Sequence, residues 1–186
     1  GVLTKLLLPI KSQPEHVVAL TELGDSVLLA TELGALLVSR DGKATLLDLP
    51  PDVGIAGIGA YRDNDQRLWV GTLLRGLWRE NGAKFEPLDE SIAACGFARL
   101  PDDTLLIGTV GGGIAVTRDG SSFQFVRATH GLPSDSVCAL LPASDGTIWL
   151  GTNQGVAQVR QDELLSAARG ERPTIGVRLI GVHEGL

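Results

Sequence analysis

Trp149-Leu150-Gly151-Thr152 closes an apolar run that the chain writes four times. The other copies are Trp69-Val70-Gly71-Thr72, Leu106-Ile107-Gly108-Thr109 and Leu28-Leu29-Ala30-Thr31. The steps from one Thr to the next are 41, 37 and 43 residues. Around the clearest copy, Ser136 to Leu141 reads as one strand and Asp145-Gly146 as a tight hairpin turn. Thr147 to Thr152 is a second strand, Asn153-Gln154-Gly155 a second turn, and Val156 to Val159 a third strand. Nearly every strand residue is apolar, which suits strands covered on both faces. A period near forty residues with several short strands per copy is the pattern of a β-propeller.

Working outward, the copies divide residues 1–160 into blades at 16–49, 56–89, 93–128 and 136–160. The outer strands alternate, as in Phe123 to Arg127 and Lys84 to Leu88, and Pro87 suits an unpaired edge. Residues 3–9 read as one more outer strand, belonging to a preceding blade or closing the last one. Residues 161–186 read as a linker with a short helical stretch, Gln161 to Arg169, and a β-like run from Thr174 to Val182. The expected fold is all-β, about four four-stranded antiparallel blades. Four blades make a tight ring, so a segment of a larger propeller is expected.

Composition sets bounds on function. The net charge of −6 and scattered Lys and Arg argue against a nucleic-acid partner. The longest apolar runs are strand-sized, so no membrane contact is expected of this segment. No signal peptide is read, and Gly1 with the absence of Met suggests a piece of a longer chain. Cys95 and Cys138 each stand fourteen residues before the Thr of their own copy. They read as two small buried hydrophobes rather than a disulfide, because equivalent residues of adjacent blades usually lie too far apart.

The repeated Gly-Thr pair reads as architecture. A small residue allows close approach, and a Thr hydroxyl can bond nearby backbone. Trp69 and Trp149 read as bodies packed between blades, each needing a partner for its N–H; Trp78 is the one expected to be more exposed. Function is expected where the copies differ, in the turns after each Thr and the loops entering the inner strands. Glu32, Arg75, Asn153 and Gln154 on the turns, with His130 and Asp135 on a loop, are the candidates to meet a polar ligand such as a sugar. Ordinary turn chemistry is the competing reading for each.

Enzyme motifs are missing: no nucleophile elbow, phosphate loop or His-Glu-x-x-His. His16, His130 and His183 stand alone. Propeller lyases and lactonases need His, Asp or Glu around a channel metal, where the inner strands here supply Ala, Gly, Ile, Val and Cys. No cofactor or metal is expected.

The run Gly131-Leu132-Pro133-Ser134-Asp135-Ser136-Val137, followed by Asp145-Gly146-Thr147-Ile148-Trp149-Leu150-Gly151-Thr152 and then Gly155, resembles the two-component regulator propeller repeat. The second copy keeps Trp69, Gly71, Thr72 and Gly76 but has Gln66 where the turn Gly belongs. The third keeps Gly108 and Thr109, and the first is the weakest. The resemblance implies a periplasmic sensor region ahead of a membrane helix and a histidine kinase or diguanylate cyclase output module. It also implies that Glu171 to Val182 opens a following β-sandwich, although that module's tyrosines are missing. The reading is a non-catalytic, ligand-binding sensor propeller. The alternatives are an interaction scaffold that pairs propellers or half-propellers, by self-association or with a second propeller, and a propeller lyase or lactonase.

Overall fold

Turn chemistry cuts the chain into strands, and the strands pair in order. The computed structural model describes residues 17–31, 34–49, 59–72 and 74–180. The expected strand at 3–9, and Glu32, lie outside them. The first blade holds β1 (Val17–Leu23), β2 (Ser26–Thr31), β3 (Gly34–Ser39) and β4 (Ala44–Leu46). The second holds β5 (Ala60–Arg62), β6 (Leu68–Thr72), β7 (Gly76–Asn81) and β8 (Lys84–Asp89). The third holds β9 (Ala94–Arg99), β10 (Leu105–Thr109), β11 (Ile114–Thr117) and β12 (Gln124–Val126). The fourth holds β13 (Val137–Pro142), β14 (Thr147–Thr152), β15 (Gly155–Arg160) and β16 (Val177–Ile180). Each blade is a four-stranded antiparallel sheet with its strands in chain order. The chain is a β-propeller segment of four blades.

The last strand corrects the sequence reading. Val177–Ile180 pairs with Val156 to Val159 and completes the fourth blade. The sequence alone places this run in a linker and at the opening of a following sandwich. A helix, α1 (Gln161–Ala168), separates it from β15 and hides the blade's rhythm. Leu164 and Ala167 of α1 enter the core between the third and fourth blades. The Glu163 carboxylate accepts the Gly176 N–H at 2.7 Å and pairs with Arg172 at 3.2 Å, which holds the returning chain to the helix.

Alternation along the second strand of each blade builds the junctions. The residue three before the repeated Thr faces the following blade. Leu28, Trp69 and Leu106 all do so and are buried. The residues two and four before it face the preceding blade: Val70 and Leu68, Ile107 and Leu105, Leu150 and Ile148. Each junction is thus a layer of interlocked apolar side chains.

The Gly-Thr pair serves these junctions. A Cβ on Gly71 would run into Ala94, and one on Gly108 into the Val137 carbonyl of the next blade. The hydroxyls of Thr31, Thr72, Thr109 and Thr152 donate to the carbonyls of Gly34, Gly76, Gly113 and Gly155 at 2.8–3.1 Å. Three of them also accept a turn N–H, from Arg75, Gly112 and Gln154. Each Thr thereby closes the turn that follows it.

The cysteines overturn the reading made from spacing. Cys95 of β9 and Cys138 of β13 form a disulfide, with Cα atoms 5.0 Å apart. Glycine is the reason the strands come this close. Gly96 and Gly108 lie against the backbone of Cys138 and Val137, where side chains would collide. A register shift between Val137 and Ala139 singles out Cys138 within β13.

Candidate functional site

The antiparallel order gives each blade two ends. The turns after each Thr and the loops into the inner strands lie at one end, as expected. Arg75 is exposed on the turn of the second blade, and Asn153 and Gln154 are exposed on that of the fourth. The third blade stands between them. The Arg75 carbonyl accepts the Trp78 indole N–H at 2.8 Å, so this half-buried Trp is tied to its own turn. Asp135 and His130 each bond to the backbone around the short 3-10 turn Ala128–His130. The Asp135 carboxylate accepts the Ala128 N–H at 2.7 Å, and His130 Nδ1 accepts the Arg127 N–H at 3.0 Å. Both side chains are engaged in shaping that loop.

The clefts open at the other end, where strands one and two of each blade connect. One of about 690 Å³ lies between the first and second blades. Tyr61, Arg62 and Gln66 line it from the second blade, Glu22 from the first and Phe97 from the third. Tyr61 and Phe97 stack with ring centres 6.1 Å apart and planes 14° from parallel. Burial pushes the Tyr61 phenol up, against the opposing pull of Arg99 beside it. A flat aromatic wall beside a guanidinium, a carboxylate and an amide suits a polar ligand with one apolar face.

A second cleft, about 260 Å³, adjoins it through Tyr61 and runs between the second and third blades. Asp63 anchors its wall. Its carboxylate accepts the Trp69 indole N–H at 3.0 Å, the Arg67 N–H at 2.8 Å and the Arg67 guanidinium at 3.0 Å. Burial acts to raise the Asp63 carboxyl, but these donors together hold it below its ordinary value. Arg99 bonds to Asn64 and Asp103, which links the hairpin turns of neighbouring blades.

Two backbone positions mark this end of the blades. Gln66 has φ +63° and Asp103 φ +68°, at the turn position that Gly146 holds with φ +80° in the fourth blade. A side chain in this left-handed region is strained by about 1–2 kcal/mol, and such residues gather at functional sites. The sequence shows Gln66 as a departure from the repeat; only the fold shows that it faces the cleft beside Tyr61. Tyr61 and Arg62 of the second blade and Phe97 of the third carry no such signal. Among the described residues no group of three His, Cys, Asp or Glu could hold a metal ion.

Residues 131–154 match the two component regulator propeller family. The match covers the lead-in and the first two strands of the fourth blade. No curated protein matches the chain. Solved structures share the fold. One is the extracellular domain of a hybrid two component system from B. thetaiotaomicron, 18% identical, covering 84% of this chain and 24% of its own, with TM-score 0.63. Another is the extracellular domain of a one component system from the same organism, 15% identical, covering 94% and 26%, with TM-score 0.69. Virginiamycin B lyase from Staphylococcus aureus is 18% identical and covers 95% and 60%, with TM-score 0.67. The chain therefore spans about a quarter of the length of the extracellular domains it resembles. At these identities the likeness establishes the fold alone, which extracellular domains and a lyase share.

Proposed function

We propose that this chain is a sensing segment of an extracytoplasmic regulator propeller, non-catalytic, in a two-component-type signalling protein. The observation that carries the reading is the regulator propeller repeat at 131–154, set in register with three further blades. The Cys95–Cys138 disulfide supports the compartment, because such bonds persist outside the reducing cytosol. The extracellular domains sharing the fold support it too. The periplasm is the location this implies.

The ligand site in this reading is the cleft faced by Tyr61, Phe97, Arg62 and Glu22, with a sugar-like molecule stacked on the aromatic wall. The cleft lies at a blade junction, so a ligand there can bind one spacing of the blades better than another. Such differential affinity is what a signal requires. The test is thermal unfolding with neutral and uronic-acid-containing oligosaccharides, on the wild type and on Tyr61→Ala. A sugar-dependent rise in Tm that Tyr61→Ala abolishes supports the reading. A rise that survives Tyr61→Ala, or that needs Arg75 or Gln154 instead, moves the site to the opposite end. No response to any sugar removes carbohydrate sensing from the proposal.

A further inference from the structure

One insertion breaks the rhythm of the blades. Strands three and four of the second blade join through Gly82 and Ala83 alone, and those of the third through residues 118–123. In the fourth blade residues 161–176 intervene and carry α1. Leu164 and Ala167 of this helix turn inward to the core. Leu165 and Arg169 stand four residues apart and share a different face. They close one side of a cleft of about 330 Å³, whose remaining walls come from the third blade. Its apolar lining is Val116 of β11, 5% exposed, with the partly buried Leu165 opposite. Function is expected where repeats differ, and α1 is the part of the fourth blade that the second and third lack.

The polar groups of this cleft are out of balance. Its acceptors are already engaged. The Asp102 carboxylate accepts the Thr104 N–H at 3.2 Å, the Thr104 hydroxyl at 3.1 Å and the Arg118 guanidinium at 3.1 Å. The Asp119 carboxylate accepts the N–H and the hydroxyl of Ser121 at 2.9 and 2.8 Å. Its donors are not used up. Arg118 bonds Asp102 through Nη2, and Arg169 bonds Glu171 through Nε and Nη2, which leaves Arg118 Nε and Nη1 and Arg169 Nη1 over. Ser122 and Gln124 also line the cleft, and their side chains make no bond among the described residues. Glu171 foremost, and Asp102 after it, favour the charged form of Arg169. Both guanidiniums therefore stand near Asp102. A surplus of donors beside two cations calls for a ligand that accepts and carries negative charge.

We propose that the cleft between α1 and the third blade binds a small hydroxy acid, with its carboxylate on Arg118 and Arg169 and its hydroxyls on Ser122 and Gln124. The carbon skeleton lies against Val116 and Leu165. The volume of 330 Å³ stands at the low end of small-molecule sites, about 300–1,000 Å³, which suits a single sugar acid rather than a chain of sugars. Asp102 works against the ligand. It occupies one arm of Arg118 and repels a second carboxylate. The site shares no lining residue with the cleft beside Tyr61, and the inference does not rest on the sensor reading.

Titration of the oxidised chain with glucuronate, followed by two-dimensional amide NMR, tests it, with glucose and acetate run in parallel. Glucuronate should give saturable shifts at Arg118, Ser122 and Gln124 and bind more tightly than either control. Arg118→Gln and Arg169→Gln should each weaken it about tenfold, the loss expected for a charge-assisted bond. Lys84→Gln, exposed on the second blade, should change nothing. Asp102→Asn should bind more tightly than wild type, because it frees Arg118 and removes the repulsion. Tyr61→Ala should leave the titration as it is, which keeps this test apart from that of the other cleft. The amide spectrum of each variant also reports whether it is folded. No saturable shift at tens of millimolar glucuronate overturns the proposal. So does glucose binding as tightly as glucuronate, which makes the cleft a neutral sugar site, or acetate doing so, which removes the hydroxyl contacts. Binding that survives Arg169→Gln, or that Asp102→Asn weakens, overturns it too.

Discussion

The Trp69 indole N–H and the Asp63 carboxylate are 3.0 Å apart, and this bond joins the core of a blade junction to the wall of a cleft. Trp69 is 3% exposed, so its N–H has no water to turn to. Asp63→Ala leaves that donor unpaired and removes two bonds to Arg67, which keeps its pairing with Asp65. An unsatisfied buried donor costs about 1–3 kcal/mol, so a loss of about 2–3 kcal/mol in urea unfolding is expected. Trp69→Phe in the Asp63→Ala background should recover part of it, because the orphan donor is gone.

Removing the Cys95–Cys138 bond should destabilise the chain without changing its fold. The bond closes a loop across a sequence separation of 43. Loop-closure entropy for that length is about 4 kcal/mol. Cys95→Ser with Cys138→Ser should lower unfolding stability by up to that amount. Dithiothreitol should do the same to the wild type and nothing further to the double variant.

Gln66→Gly should stabilise the protein. The residue holds φ +63° at a turn where the fourth blade has Gly. Relief of the left-handed strain is worth about 1–2 kcal/mol, offset in part by the looser unfolded chain of a glycine variant. A net gain of about 1 kcal/mol is expected. Asp103→Gly should gain less, because Asp103 also bonds to Arg99 and acidic side chains tolerate this conformation better.

Acid should loosen the connection between α1 and β16 over a defined window. Hydrogen bonds from Arg169 and Ser166 hold the Glu171 carboxyl at about 2, below its ordinary 4.5. A carboxyl lowered by folding contributes fully above its unfolded value and loses that contribution as pH falls through the folded one. Stability from Glu171 is therefore present above pH 4.5 and fades towards pH 2. In Arg169→Gln the Glu171 titration, followed by carboxyl chemical shifts, should move up towards 4.5. An unchanged titration would show that Arg169 does not hold the group.

Much of the architecture was legible because the repeat is written in the strand residues themselves. Thr31, Thr72, Thr109 and Thr152 mark each blade by the same bond, and the regulator repeat at Gly131 to Gly155 reads almost without gaps. The outer strand of the fourth blade was not legible, since α1 pushes Val177 out of phase with the other copies. The disulfide is not legible from spacing, because it depends on Gly96 and Gly108, whose missing side chains bring the two strands together. The cleft beside Tyr61 is illegible for a different reason. Tyr61, Phe97 and Glu22 come from three blades, and no linear pattern joins residues that meet only through stacking of sheets. Arg75, Asn153 and Gln154 were easier to see, since each sits on a turn that the repeat itself displays.

The disulfide has a consequence for how the segment comes apart. In a repeat fold each unit leans only on its neighbours, so opening proceeds junction by junction. A covalent link between β9 and β13 takes one junction out of that sequence. The third and fourth blades, with α1 between them and the last strand, must then open as a single cooperative unit. The first and second blades are left as the end that unzips first. Amide hydrogen exchange should show two tiers of protection, with the boundary between Val70 and Ala94, and reduction should merge them.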